Sequence, residues 1–205
     1  MTVPRITQEA IADVPLLMYV LHEKLGYDEI LDQISPPHKN WQGLSVGKTM
    51  VTWLAHILSE HNHYMSHVQD WVAQMPHLWA GLWEQAVRPL DVSDDRLAEV
   101  VRRLSLSEVW EPLEQQITQR MVRVYELPSE RVRLDTTTAK VYGGNDLSVL
   151  FQRGHSKDHR PDLRQLKVML AALDPLGALV GADVVSGNTA DDGLYVPMIA
   201  RLRST

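Results

Sequence analysis

Hydrophobic positions in residues 1–126 recur at steps of three and four, the spacing that aligns side chains along one face of an α-helix. Asp13 and Pro15 mark a helix start, Leu16 to Leu25 form its apolar-rich body, and Gly26 stops it. A short second helix should end at Ser35-Pro36-Pro37. Ser45 caps a long third helix, in which Val51, Leu54, Leu58, Met65, Val68 and Val72 fall at helical steps or simple multiples of them. Ser93-Asp94-Asp95 opens another, carrying Leu97, Val100, Val101 and Leu104, and Ser107 opens the next, through to about Tyr125.

Past Leu127-Pro128 the pattern changes. Arg131 to Thr138 alternates and is rich in β-branched residues, as the end of a strand should be. Lys167 to Leu173 and Ala178 to Val185 are apolar runs on either side of Asp174-Pro175-Leu176-Gly177, a turn signature. Such continuous runs suit strands buried on both faces. Thr189 and Asp192 have the spacing of a capping box, and Val196-Pro197 starts or kinks a last helix. These elements predict an α+β chain: a helical N-terminal domain over 1–128, then 129–205 with three mostly antiparallel strands and one helix.

Composition narrows the class without naming a function. An apolar content of 44% and a charged content of 22% belong to an ordinary globular protein. The absence of Cys excludes disulfides, thiolate metal sites and a thiol nucleophile. With no basic-then-apolar leader and no run of about 18 apolar residues, a bacterial cytoplasm is the expected location. All six Trp, Trp41, Trp53, Trp71, Trp79, Trp83 and Trp110, fall in the helical half without interleaved basic residues. They are expected as core anchors rather than as a base-stacking platform.

Charge changes the picture more. The net charge is −6, yet it is unevenly spread: residues 1–130 hold ten Lys/Arg against eighteen Asp/Glu, and residues 131–205 ten against eight. Within 153–167, Arg153, Lys157, Arg160, Arg164 and Lys167 face only Asp158 and Asp162. The spread supports a phosphate-bearing partner there and lends no support to one at the N-terminal half.

Four phrases then occur in one order: Leu134-Asp135-Thr136-Thr137, Gly154-His155-Ser156-Lys157-Asp158-His159-Arg160-Pro161-Asp162, the hairpin turning at Asp174-Pro175-Leu176-Gly177, and Gly187-Asn188-Thr189-Ala190-Asp191. On local chemistry alone, an Asp at a strand end such as Asp135 is better explained by its preference for turns. The string as a whole resembles the opening of DDE-type insertion-sequence transposases, with an RNase H-like catalytic core behind a helical domain. The Ser156–Asp162 wording is its most specific part. Leu25-Gly26, the Leu44–Lys48 region and Asp94-Asp95-Arg96-Leu97 resemble the preceding helical domain more weakly.

The resemblance implies that Asp135 is the first acidic residue of the triad, catalytic and a ligand of Mg²⁺ or Mn²⁺. It places Lys157, His159, Arg160 and, beside them, Arg164 where DNA phosphate would pass. Asn188 and Asp191 match a motif for which helix capping is at least as good an account as catalysis. In that family a second Asp follows the next core strand and a Glu comes much later. Neither position occurs before Thr205, and Asp183, Asp191 and Asp192 are poor substitutes for them. The implied product is a transposase fragment, inactive alone, with DNA transposon ends as partner and a homodimer or a heterodimer with full-length transposase as its assembly. DNA-end binding is assigned to the helical domain over 1–128 only as an option. An exposed sheet edge left by missing strands is expected to promote dimerisation or poor solubility.

Two other patterns suggest ligands. Gly43-Leu44-Ser45-Val46-Gly47-Lys48-Thr49 imitates a phosphate loop but has three residues between its glycines where four are needed, so a helix cap is the expected role. His56, Glu60, His63 and His67 share helical spacing suited to a transition metal. An ordinary solvated polar face is expected there instead.

Overall fold

The computed structural model describes residues 8–142, 149–154, 160 and 162–203. Within them the chain is α+β, with a helical N-terminal part followed by a three-stranded antiparallel sheet. It divides into two compact units, Met1–Leu113 and Glu114–Thr205. The change from helix to strand comes at Leu127-Pro128, whereas the division falls inside a helix, because that helix's second half packs on the sheet.

In the first unit, α1 (Val14–Met18) runs directly into a wider π-helical turn, Tyr19–Lys24. Gly26 ends it with φ +59°, the left-handed angle that glycine adopts without a Cβ clash. Asp13 does not cap α1 with its side chain; its carboxylate accepts from the Ser59 hydroxyl at 2.6 Å. α2 (Tyr27–Ile34) stops before the proline pair, and α3 (Val46–Glu60) begins with Ser45 Oγ accepting from the Lys48 amide at 3.2 Å. These two helices touch at Gly47, where an added Cβ would lie 2.0 Å from the Asp28 carbonyl oxygen. Only glycine permits that approach.

The expected long third helix is interrupted. α3 ends at Glu60, His61 turns into the left-handed region at φ +50°, and a short 3-10 turn leads into α4 (Val68–Ala73). Val68 and Val72 therefore enter the core from a separate helix. α5 (Pro76–Leu82) has its first amides capped from a distance by the Glu9 carboxylate, which accepts from His77 and Leu78 at 3.0 Å each. α6 (Asp94–Leu104) and α7 (Ser107–Val124) start at the serines expected to open them. Trp71, Trp79 and Trp83 are buried, while Trp41 and Trp53 are half-buried and Trp110 is exposed.

In the second unit β1 (Val132–Val141), β2 (Arg164–Leu173) and β3 (Ala178–Ser186) lie in the order β1-β2-β3, every pairing antiparallel, followed by α8 (Asp192–Arg203) with Pro197 inside it. Met169, Ala171, Leu173, Val180 and Met198 form the core, with Met121 and Val122 of α7 and Leu194 and Leu202 of α8 packed against it. The β2 run was expected to be buried on both faces. Instead it alternates: Gln165, Lys167, Met169, Ala171 and Leu173 are buried, and the residues between them are only half-buried. Helices cover one face of the sheet.

Candidate functional site

Asp135 is the fourth residue of ten in β1, opposite Leu170. The strand end expected at this residue is thus six residues further on, because Thr136–Val141 continue the pairing with β2. Successive strand residues face opposite sides. The Asp135 residue is exposed and Thr136 is buried, so the two neighbours serve different faces. Asp135 Oδ1 accepts the Thr136 backbone N–H at 2.8 Å.

On the helix-covered face two of the motif phrases meet, with Lys167 between them. The Thr136 hydroxyl donates to Asp191 Oδ2 at 3.1 Å, and Lys167 Nζ bonds the other oxygen of the same carboxylate. Lys167 Nζ also donates to the Thr189 carbonyl at 2.5 Å. The lysine side chain is only 7% exposed, so its charge is compensated by Asp191 rather than by water. Asp191 accepts the Leu194 amide through its own carbonyl at 2.9 Å, which ties the ion pair to the first turn of α8. Asn188 Oδ1 accepts from Ser186 Oγ at 2.8 Å, a local bond.

A backbone junction backs this cluster. Gln165 Nε2 donates to the Gly187 carbonyl at 3.1 Å, the Gly187 amide donates to Leu150 at 3.0 Å, and Gln152 pairs with Gln165. A Cβ on Gly187 would lie 1.9 Å from the Gln165 carbonyl oxygen, so glycine is required at this crossing. The Gly-Asn-Thr-Ala-Asp phrase is therefore a joint between β3, β2 and α8.

The sheet register decides whether other acids join Asp135. Thr136, Met169 and Asp183 form one cross-strand row, and Asp135, Leu170 and Ala182 form the next. Adjacent rows point to opposite faces. Asp183 and, through its bond to Thr136, Asp191 thus lie on the side away from Asp135. Among the described residues no group of three or more His, Asp or Glu is placed to hold a metal ion.

The basic residues are more engaged than their spacing suggested. Arg160 clasps Asp162 through two bonds of 2.8 Å, and this pairing holds the Asp162 carboxyl at about 2 and raises the Arg160 guanidinium further. Lys167 belongs to Asp191. Arg164 opens β2 and, like Arg153, is exposed. Lys157 and His159 lie outside the described residues.

The remaining patterns resolve by packing. Lys48 of the glycine-rich stretch sits 5.2 Å from the Trp83 ring centre, and a Cβ on Gly43 would collide with the Asp91 carboxylate. The stretch is a helix cap. His56 is buried, not solvated as expected, with its ring 5.1 Å from that of Trp71. Glu60 accepts from Trp71 Nε1 at 3.0 Å, and His67 Nδ1 bonds the Asn62 side chain at 2.8 Å. The helix break at His61 scatters this face.

Lys167 is the residue whose role the sequence reading missed. Its signal was present: it occupies a buried-parity position between Gln165 and Met169 in an apolar strand, and a buried lysine needs a carboxylate. No family model, no curated protein and no solved structure matches this chain. No helix among the described residues is long and apolar enough to cross a membrane.

Proposed function

We propose that this chain is the N-terminal part of a DDE-type insertion-sequence transposase: a helical domain followed by the opening of an RNase H-like core. In this reading it binds transposon-end DNA and does not cut it alone. One observation carries the proposal. A strand bearing Asp135 pairs with a β2–β3 hairpin and continues through Gly-Asn-Thr-Ala-Asp into α8, in the order with which such cores begin.

The family reaction is phosphoryl transfer aided by Mg²⁺ or Mn²⁺ bridged between carboxylates. Among the described residues the carboxylates do not converge on such a site, since Asp135 supplies one and Asp183 and Asp191 are on the other face. The role assigned to Asp135 here is that of one ligand in a larger site. Arg164, Lys157 and His159 are assigned to the DNA-facing rim, with Arg160 held in reserve by Asp162.

The test is a plasmid carrying the DNA that flanks the coding sequence, incubated with the chain in Mg²⁺ or Mn²⁺. Salt-sensitive binding without nicking is expected. Nicking that disappears in Asp135→Ala overturns the inactivity, and absence of binding at every salt concentration overturns the DNA assignment. A second reading keeps the resemblance but makes the chain a non-catalytic inhibitor that dimerises with full-length transposase. The placement of Asp183 and Asp191 on the face away from Asp135 favours it. Added to active transposase, the chain should then lower transposition in proportion to its concentration.

A further inference from the structure

We infer that the outer edge of β3 is sealed by side chains of α7 and α8, which stand in for a neighbouring strand and prevent a second copy of this chain from pairing there. The inference concerns the second unit alone and does not depend on the DNA reading. β3 is an edge strand in the order β1-β2-β3. Such an edge displays a row of backbone donors and acceptors that templates association.

Three of those groups already have partners. In antiparallel pairing a residue directs its N–H and C=O to the same side. At Ala182 that side faces away from β2: its N–H donates to Glu114 Oε1 at 2.8 Å, and its C=O accepts from Arg201 at 2.8 Å. Glu114 and Arg201 are themselves ion-paired, so one acid and one base reproduce the acceptor and donor that a partner strand would offer. One turn further along α7, the Thr118 hydroxyl donates to the Val180 carbonyl at 3.3 Å. Glu114 and Thr118 are four residues apart, hence on one helical face.

The strand is also irregular at this place. The register steps between Ala171 and Ala172, leaving Val180 as the residue without a cross-strand partner. A bulge of this kind spoils the flat, regular edge that strand addition needs. Glu114 and Arg201 are largely buried, at 13% and 25% side-chain exposure, which shields the pair from competing water. The edge is therefore closed chemically and sterically over Val180–Ala182.

The experiment compares the full 205-residue chain with its Glu114→Ala variant by sedimentation and by amide exchange. Glu114→Ala should associate at protein concentrations about tenfold below those at which the parent does, and exchange at Ala182 should accelerate by on the order of tenfold, the loss of a hydrogen bond to a charged group. Glu114→Gln keeps an oxygen for the Ala182 amide and should sit close to the parent in both measurements. Should Glu114→Ala fail to fold, Arg201→Ala, which uncovers the Ala182 carbonyl instead, carries the same expectation for association. A folded variant that sediments like the parent across the whole concentration range overturns the inference.

Discussion

Asp135 and Thr136 are adjacent in the chain, yet one is exposed and the other is buried against Asp191. This alternation separates a residue proposed for function from residues that hold the fold. Asp135→Asn should leave stability within about 0.5 kcal/mol of the parent, as expected of an exposed side chain. Asp191→Asn should cost about 1–3 kcal/mol in urea denaturation, because it leaves the buried Lys167 ammonium facing a neutral partner. Asp191 is itself 38% exposed, and water screening keeps the cost below that of a fully buried pair. Equal effects from the two substitutions would refute this separation of roles.

At the scale of elements, the break after α3 matters most. With His61 at φ +50°, the chain turns back and α4 brings the Trp71 ring onto His56. Burial pushes the His56 imidazole below its ordinary value, assisted by the charge of His67 and opposed by Glu60 and the Asn62 backbone. An unfolded histidine takes up a proton near pH 6.5. The folded one takes it up lower, so the unfolded state holds more protons just below pH 6.5 and stability falls as the pH drops through that window. A Glu99 carboxyl clasped by Arg102 and Arg103, and thereby lowered to about 2, adds a separate loss below pH 4.5. A stability profile from pH 7 to pH 3 should show both declines. His56→Leu should flatten the first and leave the second.

For the whole molecule, charge distribution sets the terms on which the proposed DNA binding would occur. The net charge of −6 repels a polyanion, and of the five basic residues in 153–167 Arg160 and Lys167 are already paired with carboxylates. Few phosphates can then be neutralised. The slope of log K against log salt should be shallow, on the order of −2 to −3, with binding measurable only below about 0.1 M salt. Asp162→Asn releases Arg160 and should steepen that slope by about one while tightening binding at low salt. Fluorescence anisotropy across a salt series measures both. An unchanged slope would mean that Arg160 never meets phosphate.

Local chemistry made much of the architecture legible. Helix starts at Ser45, Ser93 and Ser107, the stop at Gly26, and the hairpin between β2 and β3 each depend on residues within a few positions of one another, and periodicity reports them directly. The end of α3 escaped because apolar spacing continued across His61, where a single left-handed residue redirected the chain. Partnerships between distant residues were decided only in three dimensions. Register put Asp183 and Asp191 on the face away from Asp135, packing buried His56, and the Glu114 side chain met the Ala182 amide 68 positions away and Arg201 87 positions away to close the β3 edge. A spacing rule cannot see such meetings, because they are set by which faces the folded elements turn toward each other.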